Sequence, residues 1–127
     1  MSLKVLVVDD EEMTRNLLRL MLSRSQYIVL EAGGGYEALD MVKEHLPDLI
    51  ILDLMMPDLD GFSVCDRVRH QPETAHIPIF MLSARADHET VARGLELGAT
   101  KYLTKPVGYK ELLAHIQDVF AAATLGK

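Results

Sequence analysis

The chain has 127 residues, 49% of them apolar, which is enough for one domain with a real core and too few for two ordinary ones. Nineteen acidic against 13 basic side chains leave a formal charge of −6, which argues against a nucleic-acid-binding surface. A single cysteine, Cys65, excludes an intrachain disulfide and a multi-cysteine zinc site.

Val5-Leu6-Val7-Val8 is a continuous apolar run and predicts a strand buried on both faces. Asp9 and Asp10 interrupt it too soon for the ~7–15-residue apolar region of a signal peptide. No apolar run approaches the ~18 residues of a membrane span, so a soluble, cytoplasmic domain is expected. Met13, Leu17, Leu20 and Met21 have the spacing of a first helix. Tyr27-Ile28-Val29-Leu30 predicts a second strand. Leu39, Val42 and Leu46 predict a second helix, ended by Pro47. Leu49-Ile50-Ile51-Leu52 reads as another doubly buried strand. Phe62, Val64, Cys65 and Val68 mark a third helix. Ile77 to Leu82 predicts a fourth strand, with Pro78 near its start, where a missing N–H is tolerable. Val91 and Leu95 give a short fourth helix stopped by Gly98. Tyr102-Leu103 is a weaker strand at a sheet edge. Leu112, Ile116, Val119 and Phe120 give a fifth helix, and Ala121 to Lys127 reads as a frayed tail or the stub of a linker. Five strands alternating with five helices predict an α/β fold: one doubly wound parallel sheet, with right-handed crossovers and helices on both faces.

In an open parallel sheet the ligand site lies beyond the carboxyl ends of the strands. The residues there are Asp9, Asp10, Glu11 and Glu12 after strand one, Asp53 after strand three, Ser83 after strand four and Lys105 after strand five. Three crowded carboxylates repel, and a hard divalent cation is the usual remedy. Mg²⁺ takes one or two carboxylates and keeps positions for phosphate oxygens. A carboxylate beside it can act as nucleophile toward a phosphoryl group, with Lys105 and Ser83 suited to hold the phosphoryl oxygens. The reading is reversible phosphorylation of one aspartate.

Four stretches carry a family resemblance. They are Val7-Val8-Asp9-Asp10-Glu11, Asp53-Leu54-Met55-Met56-Pro57-Asp58-Leu59-Asp60-Gly61, Leu82-Ser83-Ala84, and Gly98-Ala99 through Tyr102-Leu103-Thr104-Lys105-Pro106. Each is weak alone. In this order and spacing the chain resembles the receiver domain of two-component response regulators, chemotaxis receivers among them. The resemblance implies a flavodoxin-like five-stranded sheet of order 2-1-3-4-5, with residues 1–127 as a single receiver domain and about 3–120 as its structured core.

It implies Asp53 as the phosphoacceptor, taking its phosphoryl group from the phosphohistidine of a sensor histidine kinase or a phosphotransfer protein. Mg²⁺, or Mn²⁺ in its place, is implied at Asp10, Asp53 and the backbone carbonyl of Met55, with Asp9 acting through water. Ser83 and Lys105 would bind the phosphoryl group. Ser83 and Tyr102 would form the switch, and Lys105–Pro106 a cis peptide. Met55 and Arg85 occupy the positions that tune phosphoryl lifetime in the family. Ser83 stands where threonine is commoner, and Val107 where phenylalanine is frequent. The implied output is a homodimer through helix four, strand five and helix five, a face that includes Arg93, Glu96, Lys101, Tyr102, Lys110 and Glu111. Neither direct nucleic-acid binding nor membrane contact is expected of this domain. It accepts transfer onto itself and is not expected to be an enzyme in the turnover sense.

Blander readings stand beside these. Asp9 and Asp10 could cap helix one. Asp53 could be a turn residue, Ser83 an N-cap, Lys105 a solvated lysine and Tyr102 plain edge packing. Cys65 reads as a small core residue, Gly35 as a tight turn, and the five histidines as surface residues. A pseudo-receiver that binds without being phosphorylated is the main alternative. Gly33-Gly34-Gly35-Tyr36-Glu37-Ala38 fits a dinucleotide loop, with Asp53 about 20 residues beyond it, but it follows strand two rather than strand one. Asp58-Leu59-Asp60-Gly61 resembles the motif of aspartate-nucleophile phosphatases, but it sits in a loop rather than directly ending a buried strand.

Overall fold

The computed structural model describes residues 2–125. In chain order the elements are β1 (Lys4–Val8), α1 (Glu12–Arg24), β2 (Ile28–Ala32), α2 (Gly35–His45), β3 (Leu49–Asp53), α3 (Gly61–Arg69), β4 (Ile79–Ser83), α4 (His88–Glu96), β5 (Lys101–Thr104) and α5 (Tyr109–Leu125). The strands form one parallel sheet of order β2-β1-β3-β4-β5: the alternation of strands and helices predicted the doubly wound parallel sheet, and the family resemblance implied its flavodoxin-like order.

Period-two alternation along the strands divides the core into two layers. Val5, Val7, Leu49, Ile51, Phe80 and Leu82 face one side and pack with Leu18 and Leu22 of α1 and Leu112 and Ile116 of α5. Leu6, Val8, Ile50, Leu52, Ile79 and Met81 face the other and pack with Ala38 and Val42 of α2 and Val64, Cys65 and Val68 of α3. The three central strands are buried on both faces, which is why their sequences read as unbroken apolar runs.

Several local expectations shift. The inward face of α1 is Leu18 and Leu22 with the half-buried Met21 packed beside them as predicted, whereas Met13, Leu17 and Leu20 are exposed, Met13 at 85%. Leu46 lies outside α2: it is the C-cap, in the left-handed region at φ 45°, and exposed. β2 starts one residue later than predicted and runs to Ala32. β4 starts at Ile79, after Pro78, whose carbonyl accepts from the Ile50 N–H. Residues 121–125 are not a frayed tail, since α5 continues through Leu125 on a run of alanines, the strongest helix former. The last two residues of that predicted tail lie outside the described residues. His70, His76 and His88 are exposed, but His45 and His115 are half-buried, and the His115 ring meets Phe80 edge-on at 6.4 Å. Cys65 is fully buried, as a small core residue should be. Among the described residues no helix is long and apolar enough to cross a membrane.

Candidate functional site

Sheet register assembles the site. Val8 pairs with Leu52, Asp53 with Leu82, and Ser83 with Thr104, so the ends of β1, β3, β4 and β5 come level at one edge. Lys105, just past β5, is held there by its own N–H donating to the Ser83 carbonyl at 2.8 Å. Its ammonium donates to Asp9 Oδ2 at 2.9 Å and to Asp53 Oδ1 at 3.1 Å. Asp9, Asp10 and Asp53 each bring a carboxylate oxygen within 4.8 Å of the others. Asp9 and Asp53 are buried, at 2% and 7% exposure, and Asp10 is exposed.

This crowding has electrostatic consequences. Burial, helped by the Asp9 charge, pushes the Asp53 carboxyl up to about 6 although Lys105 pulls the other way. Burial works against the Lys105 ammonium, but its bonds to Asp9 and Asp53 outweigh that and raise its pKa. One ammonium therefore does not fully offset the carboxylates around it. The donor set is all oxygen and anionic, with Asp10 open to solvent, and that chemistry suits a hard divalent cation. Asp9 is the least available of the three, because Oδ2 accepts from Lys105 and Oδ1 accepts from the Glu11 N–H at 2.9 Å.

The other singled-out residues fall around this cluster. Ser83 is buried at the end of β4, and its Oγ accepts from the Arg85 N–H at 3.1 Å. It does not cap a helix; Asp87 caps α4, accepting from the Thr90 N–H. Asp9 and Asp10 do not cap α1 either, whose N-cap position is Glu11 with no side-chain cap bond. Met55 is 63% exposed in the β3–α3 loop. Arg85 is exposed and pairs with Asp87 at 2.9 Å; the Thr90 hydroxyl, and after it this Arg85 pair, hold the Asp87 carboxyl well below the usual range. Tyr102 is half-buried on the edge strand and its hydroxyl donates to the Arg85 carbonyl at 2.7 Å. The Lys105–Pro106 peptide is cis.

The two lookalike motifs prove to be parts of one clamp. Asp58 accepts from the N–H groups of Gly35 at 3.0 Å and Tyr36 at 3.2 Å, so an internal carboxylate fills the N-terminus of α2 where a dinucleotide phosphate would sit. These bonds lower the Asp58 pKa. Asp60 caps α3 by accepting from the Ser63 N–H. Gly35 is glycine for close approach rather than for a turn, since a Cβ there would lie 2.5 Å from the Leu59 carbonyl oxygen. Gly61 is as closely approached, and its neighbour is the acceptor: its Cβ would lie 2.5 Å from the carbonyl oxygen of Asp53 itself.

Sequence reasoning missed Arg15. It donates from Nη1 to the Asp9 carbonyl at 2.7 Å and pairs through Nε with Glu31 of β2 at 3.5 Å. No residue pattern marks it, because its closest partner is a backbone carbonyl.

A family model for the response regulator receiver domain matches residues 5–117. The alkaline phosphatase synthesis transcriptional regulatory protein PhoP of Bacillus subtilis is 44% identical over 119 residues, covering 94% of this chain and 49% of PhoP. The chain thus spans about half the length of the curated relatives it first matches. Among solved structures, the chemotaxis response regulator CheY4 of Vibrio cholerae superposes with a TM-score of 0.88 at 35% identity, covering 94% of this chain and 99% of that one. The receiver domain of the Francisella response regulator 1452 gives 0.89 at 31% identity, covering 96% and 99%.

Proposed function

The chain belongs to the response regulator receiver domain family, and from that membership we propose that Asp53 accepts a phosphoryl group from a phosphohistidine on a sensor histidine kinase or phosphotransfer protein. The observation that carries this reading is the Lys105 ammonium shared between two buried carboxylates, with a third carboxylate at the rim. A carboxyl already reluctant to hold charge gains from any arrangement that adds positive charge beside it.

In the proposed step an Asp53 carboxylate oxygen attacks phosphorus from the side opposite the histidine. The O–P bond forms as the P–N bond breaks, and the electron pair of the broken bond returns to the imidazole nitrogen. Asp10, Asp53 and the Met55 carbonyl are the residues that would hold Mg²⁺ (Mn²⁺ would serve in its place), with Asp9 acting through water. When bound, the ion supplies positive charge against the phosphoryl oxygens and in-line geometry for the transfer. Lys105 exchanges one carboxylate partner for a phosphoryl oxygen, and Asp9 keeps the ammonium oriented. Ser83, which accepts from the Arg85 N–H, still has its hydroxyl proton to donate.

The transfer adds roughly −1.5 to −2 charges at one point. Shifting a loop from 1:99 to 99:1 takes ~5.5 kcal/mol of differential binding. Two charge-assisted hydrogen bonds, from Ser83 and Lys105 at ~1.5–3 kcal/mol each, are of that order. Movement of Ser83 draws on the β4–α4 loop, where the Tyr102 hydroxyl holds the Arg85 carbonyl. Breaking that bond frees Tyr102 to turn inward and remodels the face of α4, β5 and α5. Met55, two residues past the acceptor, and Arg85, two residues past Ser83, stand at the positions that set how long the phosphoryl group lasts. The output we favour is a homodimer through that face. Light scattering with Mg²⁺ and beryllofluoride, a phosphoryl mimic, should show a dimer; a monomer under saturating mimic would remove the homodimer from the reading.

The central test is direct. Acetyl phosphate with Mg²⁺ should add ~80 Da to the intact mass of the wild type and nothing to Asp53→Asn. A wild type that gains no mass under these conditions would leave the pseudo-receiver alternative in its place.

A further inference from the structure

Arg15 stands outside the phosphoryl and metal groups named so far, yet it touches the segment that carries two of them. We infer that Arg15 is a positioning residue for Mg²⁺ binding, acting through the peptide between Asp9 and Asp10; this rests on the reading of that acidic cluster as the metal site. The Asp9 N–H donates to the Ala32 carbonyl at 3.1 Å, and the Asp9 carbonyl accepts from Arg15 Nη1 at 2.7 Å. The Asp9 residue is thus held at both ends of its backbone. Arg15 is in turn held by Glu31, which also pairs with Arg19 at 3.5 Å. The guanidinium therefore ties α1 and β2 to the turn between β1 and α1.

The consequence falls on Asp10. Asp9 is fixed by its own side chain, through Lys105 and the Glu11 N–H. Asp10 is exposed, and the direction of its side chain depends on the peptide plane that precedes it. That plane includes the carbonyl Arg15 holds. A flat guanidinium can donate to the carbonyl with one nitrogen while facing Glu31 with another; an ammonium on a flexible stem cannot reproduce that fork.

Positioning and simple charge make opposite predictions, which makes the inference testable. Charge alone would have Arg15 repel a dication, so removing it would tighten Mg²⁺ binding. Positioning requires that removing it weaken binding, by about tenfold or more where such supporting contacts are lost. The experiment is calorimetric titration of Mg²⁺ into wild type, Arg15→Met, Arg15→Gln and Arg15→Lys, with circular dichroism of the metal-free proteins to select those that fold. We expect Met and Gln to weaken Mg²⁺ binding about tenfold and Lys to weaken it as well. Tighter or unchanged binding in the folded Met or Gln variant overturns the inference, and wild-type affinity in the Lys variant overturns the two-nitrogen hold. If neither neutral variant folds, the Lys variant decides alone. In all these cases the metal site itself survives, whereas a wild type that takes up no Mg²⁺ removes both the site and the role of Arg15.

Discussion

Asp53 shows how one buried carboxyl sets the pH response of the site. Its pKa rises from 3.8 to about 6 in the folded chain because burial and Asp9 outweigh Lys105. A raised carboxyl pKa means the folded state binds the proton more tightly than the unfolded one. The associated stability is present below pH ~4 and is lost as pH rises through 6. At 1.36 kcal/mol per unit the loss is about 2–3 kcal/mol. Asp53→Asn should therefore be more stable than wild type at pH 7 without metal, by about 1–3 kcal/mol in denaturant unfolding. The gap should open between pH 4 and 6; equal stability of the two proteins across that range would contradict the stated cause. The anionic residues of this site were legible in the sequence because they directly follow apolar runs. Arg15 was not, because its partner is a backbone carbonyl, and no residue pattern marks that. The duty of Asp58 was hidden for a similar reason: it pairs with N–H groups of a helix 22 and 23 residues away.

At the scale of elements, the strands were easier to read than the faces of the helices. A doubly buried strand announces itself by an unbroken apolar run, as in Leu49–Leu52. α1 carries leucines at 17, 18, 20 and 22, so two overlapping stripes both satisfy helical spacing. Only the position of the sheet decides that Leu18 and Leu22 turn inward. The glycines of the loops were visible, but their reasons were not, because close approach between segments distant in the chain leaves no local mark. They give a paired prediction. Gly61→Ala puts a methyl against the Asp53 carbonyl and must move the acceptor loop, costing about 1–3 kcal/mol or more. Gly108→Ala meets nothing within 4 Å, and its gain from restricting the unfolded chain is offset by the loss of glycine at the N-cap of α5, so it should change stability by less than about 0.5 kcal/mol. Thermal melts should therefore show a clear drop for Gly61→Ala and little change for Gly108→Ala.

For the whole molecule, the division into two layers leaves the site at the one edge where four strand ends meet. Neutralising that edge should stabilise the entire fold, because a ligand that binds only the folded state adds RT ln(1 + [L]/Kd). Mg²⁺ at about 100 times its Kd should add ~2.7 kcal/mol and raise the melting temperature, and a chelator should reverse it. The rise should be smaller at pH 5 than at pH 7, since protonation of Asp53 competes with the ion. Asp10→Ala should abolish most of it. A melting temperature indifferent to Mg²⁺ at pH 7 would count against the site.

α4 differs from the other helices in how it rests on the sheet. Only Gly94 is fully buried along it, at a point where an added Cβ would lie 2.9 Å from the Met81 sulfur and 3.2 Å from the Tyr102 ring. Thr90, Val91 and Ala92 are only half-buried, so this helix gives up less apolar contact than the others when it tilts, and its amides should exchange ahead of those of the central strands. Rearranging this helix need not draw on the free energy that holds the central strands together, and a marginally stable chain can rock it repeatedly without approaching global unfolding.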